Sequence, residues 1–455
     1  VKYEVQKVGI VTSGNTLRLP LGTEIVDVTF PYIWVANSGE GTISKLRVSD
    51  GAELGRYRTG PGNGNPSRTT VDQDGNVWVG NRNNNTITKV GLLEFGQCVD
   101  RNGDGAITTS TGGTDVKDWS GSFGDGLGAA NAEDECILLH VALTAPGVTT
   151  PSDIRTVAID PQNNVFVGGF YQSSLFKVDG RTGAIIKAID SPASLQGHYG
   201  GVVDKAGNLW SMSSGSGKVQ KINADMTTAE LIDIGHTGYG IGIDKFGKIW
   251  TTEYGTRFSA FDPADPVGTL KVFSQTNSFA AQGIASDDNG DIFIAGSLSG
   301  NIVGHYRQTF DASGAWTGAE FVANYTVGSG PTGVAVDSVG AVWATNNNDS
   351  TVSRITLAAD PANAVVDTFP VGQSPYNYSD MTGRVVRTIT NRQGTWEATF
   401  DGGEADFAWT KIVWTFAQAL PDKTAATFEI KTANDKVSLG ALDYVEVQND
   451  TELTG

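Results

Sequence analysis

Between its two cysteines the chain sets oxygen donors at alternate positions: Asp100, Asn102 and Asp104, followed by Gly105, the main-chain carbonyl of Ala106 and the apolar Ile107. Such a set suits Ca²⁺, a hard cation that takes roughly six to eight oxygens, with glycine permitting the sharp turn in the middle of the loop. Counting from Asp100, position twelve is Thr111, where an acid would normally complete the shell. Asp115 is one replacement; Glu133, Asp134 and Glu135 are others, because a Cys98–Cys136 disulfide would carry them towards Asp100. The plainer readings are a metal-free Asp/Asn/Gly turn and, in a cytosolic protein, a reduced cysteine pair.

The run resembles the start of an EF-hand or dockerin-type loop, and the resemblance implies a structural calcium ion rather than a catalytic one. A filled oxygen shell leaves no open position for a substrate.

What must position this loop is a repeat. Six times an aspartate stands six residues before an aromatic that opens an apolar run: Asp72/Trp78, Asp160/Phe166, Asp204/Trp210, Asp244/Trp250, Asp287/Phe293 and Asp337/Trp343. Each pair brackets a turn such as VDQDGNVWVGN or VDSVGAVWATN, the pattern of a β-hairpin with an aspartate at its entrance. A degenerate seventh copy, EIVDVTFPYIWVAN, puts Trp34 in register with Val28 at the aspartate position. The aromatics are spaced by 44, 88, 44, 40, 43 and 50 residues. One four-stranded propeller blade takes about 40 to 50 residues, so the doubled gap marks an insertion between blades two and three.

These periods predict an all-β chain: a seven-bladed β-propeller over residues 1–384, with the disulfide-closed calcium loop inserted at 94–149. Residues 385–455 carry longer alternating strands without the blade motif and predict a small C-terminal β-sandwich. Trp396, Phe400, Trp409, Trp414, Phe416 and Phe428 would supply its core. Its four or five countable strands leave an unpaired edge, a template for a strand from a partner or from chain beyond residue 455. The alternating first twenty residues could donate that strand, but closure of the seventh blade is the expectation for them.

The formal net charge of −18, from 32 basic and 50 acidic residues, argues against nucleic acid and anionic membrane surfaces, which need a basic stripe. No apolar run is long enough to span a bilayer. Scarce cysteine and lysine, abundant Gly, Asn, Thr and Asp, and the calcium-like loop together predict a secreted or cell-surface protein. A first residue of Val fits removal of a targeting segment, or simple trimming.

Segments such as GPTGVAVDSVGAVWATNNNDSTVSRI and GYGIGIDKFGKIWTTEYG resemble the blade repeat of the streptogramin (virginiamycin B) lyase family and the wider NHL-like propellers, over residues 20–380. In that family the residue between Pro and Gly of the inner strand faces a central funnel, and the lyases place histidines there with strand-end glutamates near Mg²⁺. The matching positions here are Ser67, Arg155, Tyr199, Tyr239, Gln282 and Thr332, none of them histidine. The strand-end positions are Asn37, Asn81, Gly169, Ser213, Glu253, Gly296 and Asn346, so one carboxylate survives.

Two functions follow from different classes. In the favoured one, Arg68, Arg155, Tyr199, Tyr239 and Gln282 form a binding surface for sugars, peptides or another protein, in a non-enzymatic subunit that assembles with other subunits or copies of itself. In the alternative, His198, His236 and Glu253 act as a lyase-like acid–base set. No other nucleophile or phosphate-binding motif is present.

Overall fold

A computed structural model of the chain describes residues 3–4, 11–13, 16–18, 30–119, 133–190, 197–213, 215–275, 280–297, 300–389, 399–400, 403, 409–415, 426–435, 438–439 and 442–452. It forms two compact units, one of residues Val28–Arg392 and one of Val1–Asp27 with Gln393–Gly455.

The larger unit is a seven-bladed propeller. Blades two to seven are antiparallel sheets of four sequential strands, and their inner strands are Pro66–Val71, Ile154–Ile159, Gly200–Val203, Ile241–Ile243, Ala280–Ser286 and Pro331–Val336. The repeat aspartate explains its own spacing. In blade four Asp204 Oδ1 accepts the amides of Ala206 and Asn208 at 2.9 and 3.0 Å, fixing the turn, while Oδ2 accepts the indole N–H of Trp210 at 2.8 Å. Asp244 and Asp337 hold Trp250 and Trp343 in the same way. In blades two and three the second oxygen instead pairs with Lys89 and Lys177, each at 2.8 Å. All seven aromatics are at most 1% exposed, on the second strand of each blade. Burying one stabilises by about 2 to 3 kcal/mol.

Three expectations are corrected. The insertion lies inside blade two, not between blades two and three: Ile137–Ala142 returns to pair with Thr86–Val90 as that blade's fourth strand. The strand Tyr3–Glu4 pairs with Thr399–Phe400 in the smaller unit and not with a blade. Blade one, built of Tyr32–Asn37, Thr42–Arg47 and Glu53–Arg58, is completed by residues 375–381. There Asn37 bridges Pro375, the Tyr376 amide donates to the Ala36 carbonyl at 3.0 Å, and the Trp34 amide donates to the Met381 carbonyl at 3.0 Å. Residues 21–29, which include the start of the degenerate repeat copy, lie outside the described residues.

The helix Arg384–Ile389 follows directly, with Val386 and Ile389 buried in the propeller core. The propeller unit thus runs past residue 384 to Arg392. In the smaller unit Lys411–Ile412 pairs with Thr451–Glu452 and Phe428–Ile430 with Val445–Val447, and Trp414 stacks on Phe428 with centroids 3.8 Å apart. These short antiparallel pairs are compatible with a small β-sandwich. Trp396 and Phe416 lie outside the described residues. No described helix is long and apolar enough to cross a membrane.

Candidate functional site

The starts of the inner strands bring one residue per blade to one end of the propeller axis. Arg155, Tyr199, Tyr239 and Gln282 meet there, as their spacing predicts. Tyr376, the seventh such residue, joins them from the segment that closes blade one. Its hydroxyl lies 2.7 Å from that of Tyr239, and Gln282 Nε2 donates to the Tyr239 hydroxyl at 3.4 Å. Tyr378, two residues on, stacks on Tyr239 with centroids 5.4 Å apart.

Arg68 stands where blades four to seven carry Gly200, Gly240, Gly283 and Gly333 in the same register. In this register blade two carries a long side chain where blade three has Thr156 and blade one Asn377. Arg68 is 1% exposed, and its guanidinium donates to the carbonyls of Arg155 at 2.8 Å, Tyr378 at 3.3 Å, and Tyr199. The Tyr378 ring lies beneath it at 3.1 Å. Arg68 therefore ties blades one, two, three and four together, and is withdrawn from any ligand arriving from solvent. Beneath this layer the axis holds a cavity of about 50 Å³, lined by Val157, Val202, Ile284 and Val334 among others and reaching the helix residues Arg384 and Thr388. That is room for a few waters, well short of the roughly 300 Å³ or more of a small-molecule pocket.

Burial raises the phenol pKa of Tyr199 and Tyr239. Burial acts in the same direction on Tyr376, but hydrogen bonds from Tyr239 and Tyr378 and the nearby Arg155 and Arg68 guanidinia outweigh it and hold the pKa below the usual range. Tyr199 and Tyr239 present polar tips on neutral rings.

The members of the alternative acid–base set are each held by other partners. His198 is fully buried in blade four. Its Nε2–H donates to the Ser173 carbonyl at 3.2 Å and its Nδ1 is 2.9 Å from the Ser211 hydroxyl; burial depresses its pKa to about 4. His236 in blade five lies 3.0 Å from the Ser259 hydroxyl and 2.9 Å from the Thr237 carbonyl, and burial lowers its pKa as well. Glu253 is close enough to His236 to act on its charge, but Arg257 grips both carboxylate oxygens, by its backbone amide at 3.0 Å and its guanidinium at 2.9 Å. Burial pushes the Glu253 pKa up, and the Arg257 bonds more than offset it. His140 bonds Thr88 at 2.9 Å and His305 bonds Asp291 at 2.8 Å. All four histidines serve the blades.

The loop of the insertion is formed. Asp100 accepts the amides of Gly103 and Gly105 at 2.7 and 2.9 Å, Asn102 that of Asp104 at 2.8 Å, and Asp104 that of Ala106 at 2.9 Å. Cys98 and Cys136 are disulfide-bonded with Cα atoms 4.4 Å apart. The acids expected to complete a metal shell have other partners. Glu135 accepts the amides of Arg101, Asn102 and Thr108, Asp134 binds Thr109 and Ser110, and Asp115 binds Thr111 and Gly112. Among the described residues no three acidic, histidine or cysteine side chains gather to hold a metal. Asp100, Asn102, Asp104 and the Ala106 carbonyl remain as the loop's own donors.

Sequence reasoning missed Tyr376, Tyr378 and Arg82. The signal for Tyr376 was Pro375, which stands to it as Pro331 stands to Thr332, and Asp380 a few residues on. Arg82 leaves no motif; it reaches the site by lying over the Tyr376 ring at 5.1 Å.

The chain is similar in fold to several solved β-propellers. The virginiamycin B lyase from Staphylococcus aureus is 15% identical, over 70% of this chain and 89% of that one, with a TM-score of 0.48. A streptogramin B lyase is 13% identical, over 69% and 86%, with a TM-score of 0.49. A putative 6-phosphogluconolactonase from Bacteroides uniformis is 11% identical, over 76% and 97%, with a TM-score of 0.53. At these identities the likeness concerns the fold and carries no activity across. No protein-family model and no curated protein matches the chain.

Proposed function

We propose that this chain is an exported, non-enzymatic propeller that binds a ligand or partner on its tyrosine and arginine layer and serves as a subunit in assembly at the cell surface or outside it. The observation that carries the reading is the contrast at the axis. The residues gathered there offer ring faces, hydroxyls and guanidinia, while every histidine is engaged in hydrogen bonds to the blades and Glu253 is held by Arg257. Proton abstraction requires a base within hydrogen-bond reach of the carbon acid; no histidine stands in this layer, and its carboxylate Asp153 is paired with Arg155. Rings with polar tips beside guanidinia are a binding chemistry.

Calcium belongs to the same reading. Two carboxylates, an amide oxygen and a carbonyl in one tight loop fit a hard cation. Asp100, Asn102, Asp104 and Ala106 would hold it, and its contribution would be to neutralise the carboxylates and stiffen the loop. The smaller unit, with its short strands, is the part we assign to attachment by strand addition from another subunit.

The test is binding of the full-length protein to a mixed glycan and peptide array, alongside a Mg²⁺-dependent ring-opening assay on a streptogramin B. We expect array binding that is lost in Tyr239→Ala, with no turnover. Turnover abolished by His236→Ala or Glu253→Ala would overturn the reading, as would array binding that Tyr239→Ala leaves unchanged.

A further inference from the structure

Five aromatic rings run in an unbroken arc across the end of the axis: Tyr171, Phe170, Tyr199, Tyr239 and Tyr254, with successive centroids 4.8, 4.8, 4.8 and 4.9 Å apart. The two ends are open to solvent, Tyr171 being 72% and Tyr254 44% exposed, whereas Tyr199 in the middle is 7% exposed. Against the buried middle lie two guanidinia. Arg155 sits 5.1 Å from the Tyr199 ring and 5.7 Å from that of Tyr376, and Arg82 lies 5.1 Å from Tyr376 on its other approach.

The charge balance here is opposite to that of the chain. In a protein of net charge −18, Arg82, Arg155 and the buried Arg68 come together with one paired carboxylate, Asp153, at 3.0 Å from Arg155 Nε. Arg82 uses Nε and Nη2 on Asn65, through the backbone carbonyl at 3.1 Å and the side-chain oxygen, and not its Nη1. Nη1 of Arg155 is buried at the edge of the layer and has no hydrogen-bond partner among the described residues. Burial and the neighbouring Arg155 charge both disfavour the charged form of Arg82. Partly buried like charges with an unused donor favour an incoming anion, and the planar guanidinium fork matches a carboxylate in shape.

We propose that this arc binds an acidic oligosaccharide, with a ring carboxylate taken by Arg82 and Arg155 and sugar faces laid on the exposed rings of Tyr171 and Tyr254. The inference rests on the binding reading above and narrows it to one ligand class. A sugar chain fits better than a polyanion of high charge density, because the chain's overall negative charge repels the latter and the arc offers only a small patch of positive charge. Flat exposed rings at each end with cations between them repeat the order of an acidic sugar: apolar face, charged edge, apolar face.

The probe is trigalacturonate, with its fully methyl-esterified form as the uncharged control, titrated calorimetrically into the full-length protein at low and at physiological salt. We expect the acid to bind about tenfold or more tightly than the ester, as one lost charge-assisted pair implies, and the preference to shrink with salt. Arg82→Gln should remove the preference, and Tyr254→Ala should weaken both ligands; melting curves of each variant confirm that it is folded. Equal affinity for acid and ester, or an unchanged preference in Arg82→Gln, overturns the acidic-ligand inference while leaving the binding reading to the array. Binding of neither form also overturns it, as does tight binding of an acidic peptide such as hexaglutamate in place of the sugar.

Discussion

Acid should unfold this propeller partly through His198. The imidazole is fully buried in blade four, neutral, with Nε2–H on the Ser173 carbonyl and Nδ1 against the Ser211 hydroxyl. Its pKa falls from 6.5 to about 4 on folding because burial penalises the charged ring. A depressed folded-state value means that the unfolded chain binds the proton more readily. The stability tied to the neutral ring is therefore present above pH 6.5 and is drawn down as pH falls towards 4. Integrated over that window, the loss is about 3 kcal/mol by pH 4. The perturbation is His198→Gln, which keeps a polar group in the blade but cannot titrate. Urea unfolding of the wild type and the variant at pH 7 and pH 4 gives the difference directly. The variant should be less stable at pH 7 yet lose about 3 kcal/mol less than the wild type on acidification. His140, also depressed to about 4 by burial, leaves the variant some acid sensitivity of the same sign. Equal losses in the two proteins would refute the reasoning, since carboxylate protonation is common to both.

Arg68→Leu should cost about 3 kcal/mol or more in urea unfolding, because three buried carbonyls in three other blades lose their donor; a cost under 1 kcal/mol would show that the axis does not need the staple. Replacing Cys98 and Cys136 together by Ser should cost roughly 4 kcal/mol for a link spanning 38 residues, with full-length oxidised protein as the reference; equal stability would show that the packing of the insertion on blade one suffices. Adding calcium to chelator-treated protein should raise the melting temperature measured by calorimetry, and Asp104→Ala should abolish the rise; no rise in either protein would remove the ion from the loop.

The blades were legible because one small device repeats. An aspartate that binds amides two and four residues on, and then an indole six residues on, imposes a fixed count that a single sequence displays. The disulfide was legible for the same kind of reason, there being only two cysteines to pair. What the sequence concealed depends on contacts across the ring. The first blade is completed on its inner edge by residues 375–381, and nothing local to Trp34 announces a partner more than three hundred residues away. The fourth strand of blade two was hidden behind an insertion whose Gly- and Asp-rich text masked the return of ILLHVA. At the site, counting from the motif aspartates found Arg155, Tyr199, Tyr239 and Gln282, but it could not show that Arg68 turns inward onto carbonyls or that Arg82 lies over a ring from a different blade. His198 and His236 looked available because adjacency to funnel positions does not reveal which way a side chain points; in the structure both face serine hydroxyls within their own blades.

The segment that completes blade one has a consequence in time as well as in space. Asn377 Nδ2 donates to the Trp34 carbonyl across 343 residues of sequence. That contact cannot form until nearly the whole propeller has left the ribosome. Blades two to seven can each collapse from neighbouring segments as they emerge, whereas blade one must wait with its inner edge unpaired until residues 375–381 arrive. Contacts of such long sequence separation form slowly, and an open strand edge invites pairing with another chain. Ring closure is thus the step at which folding and self-association compete, and a chain stopped before Pro375 would carry an exposed edge in place of a finished ring.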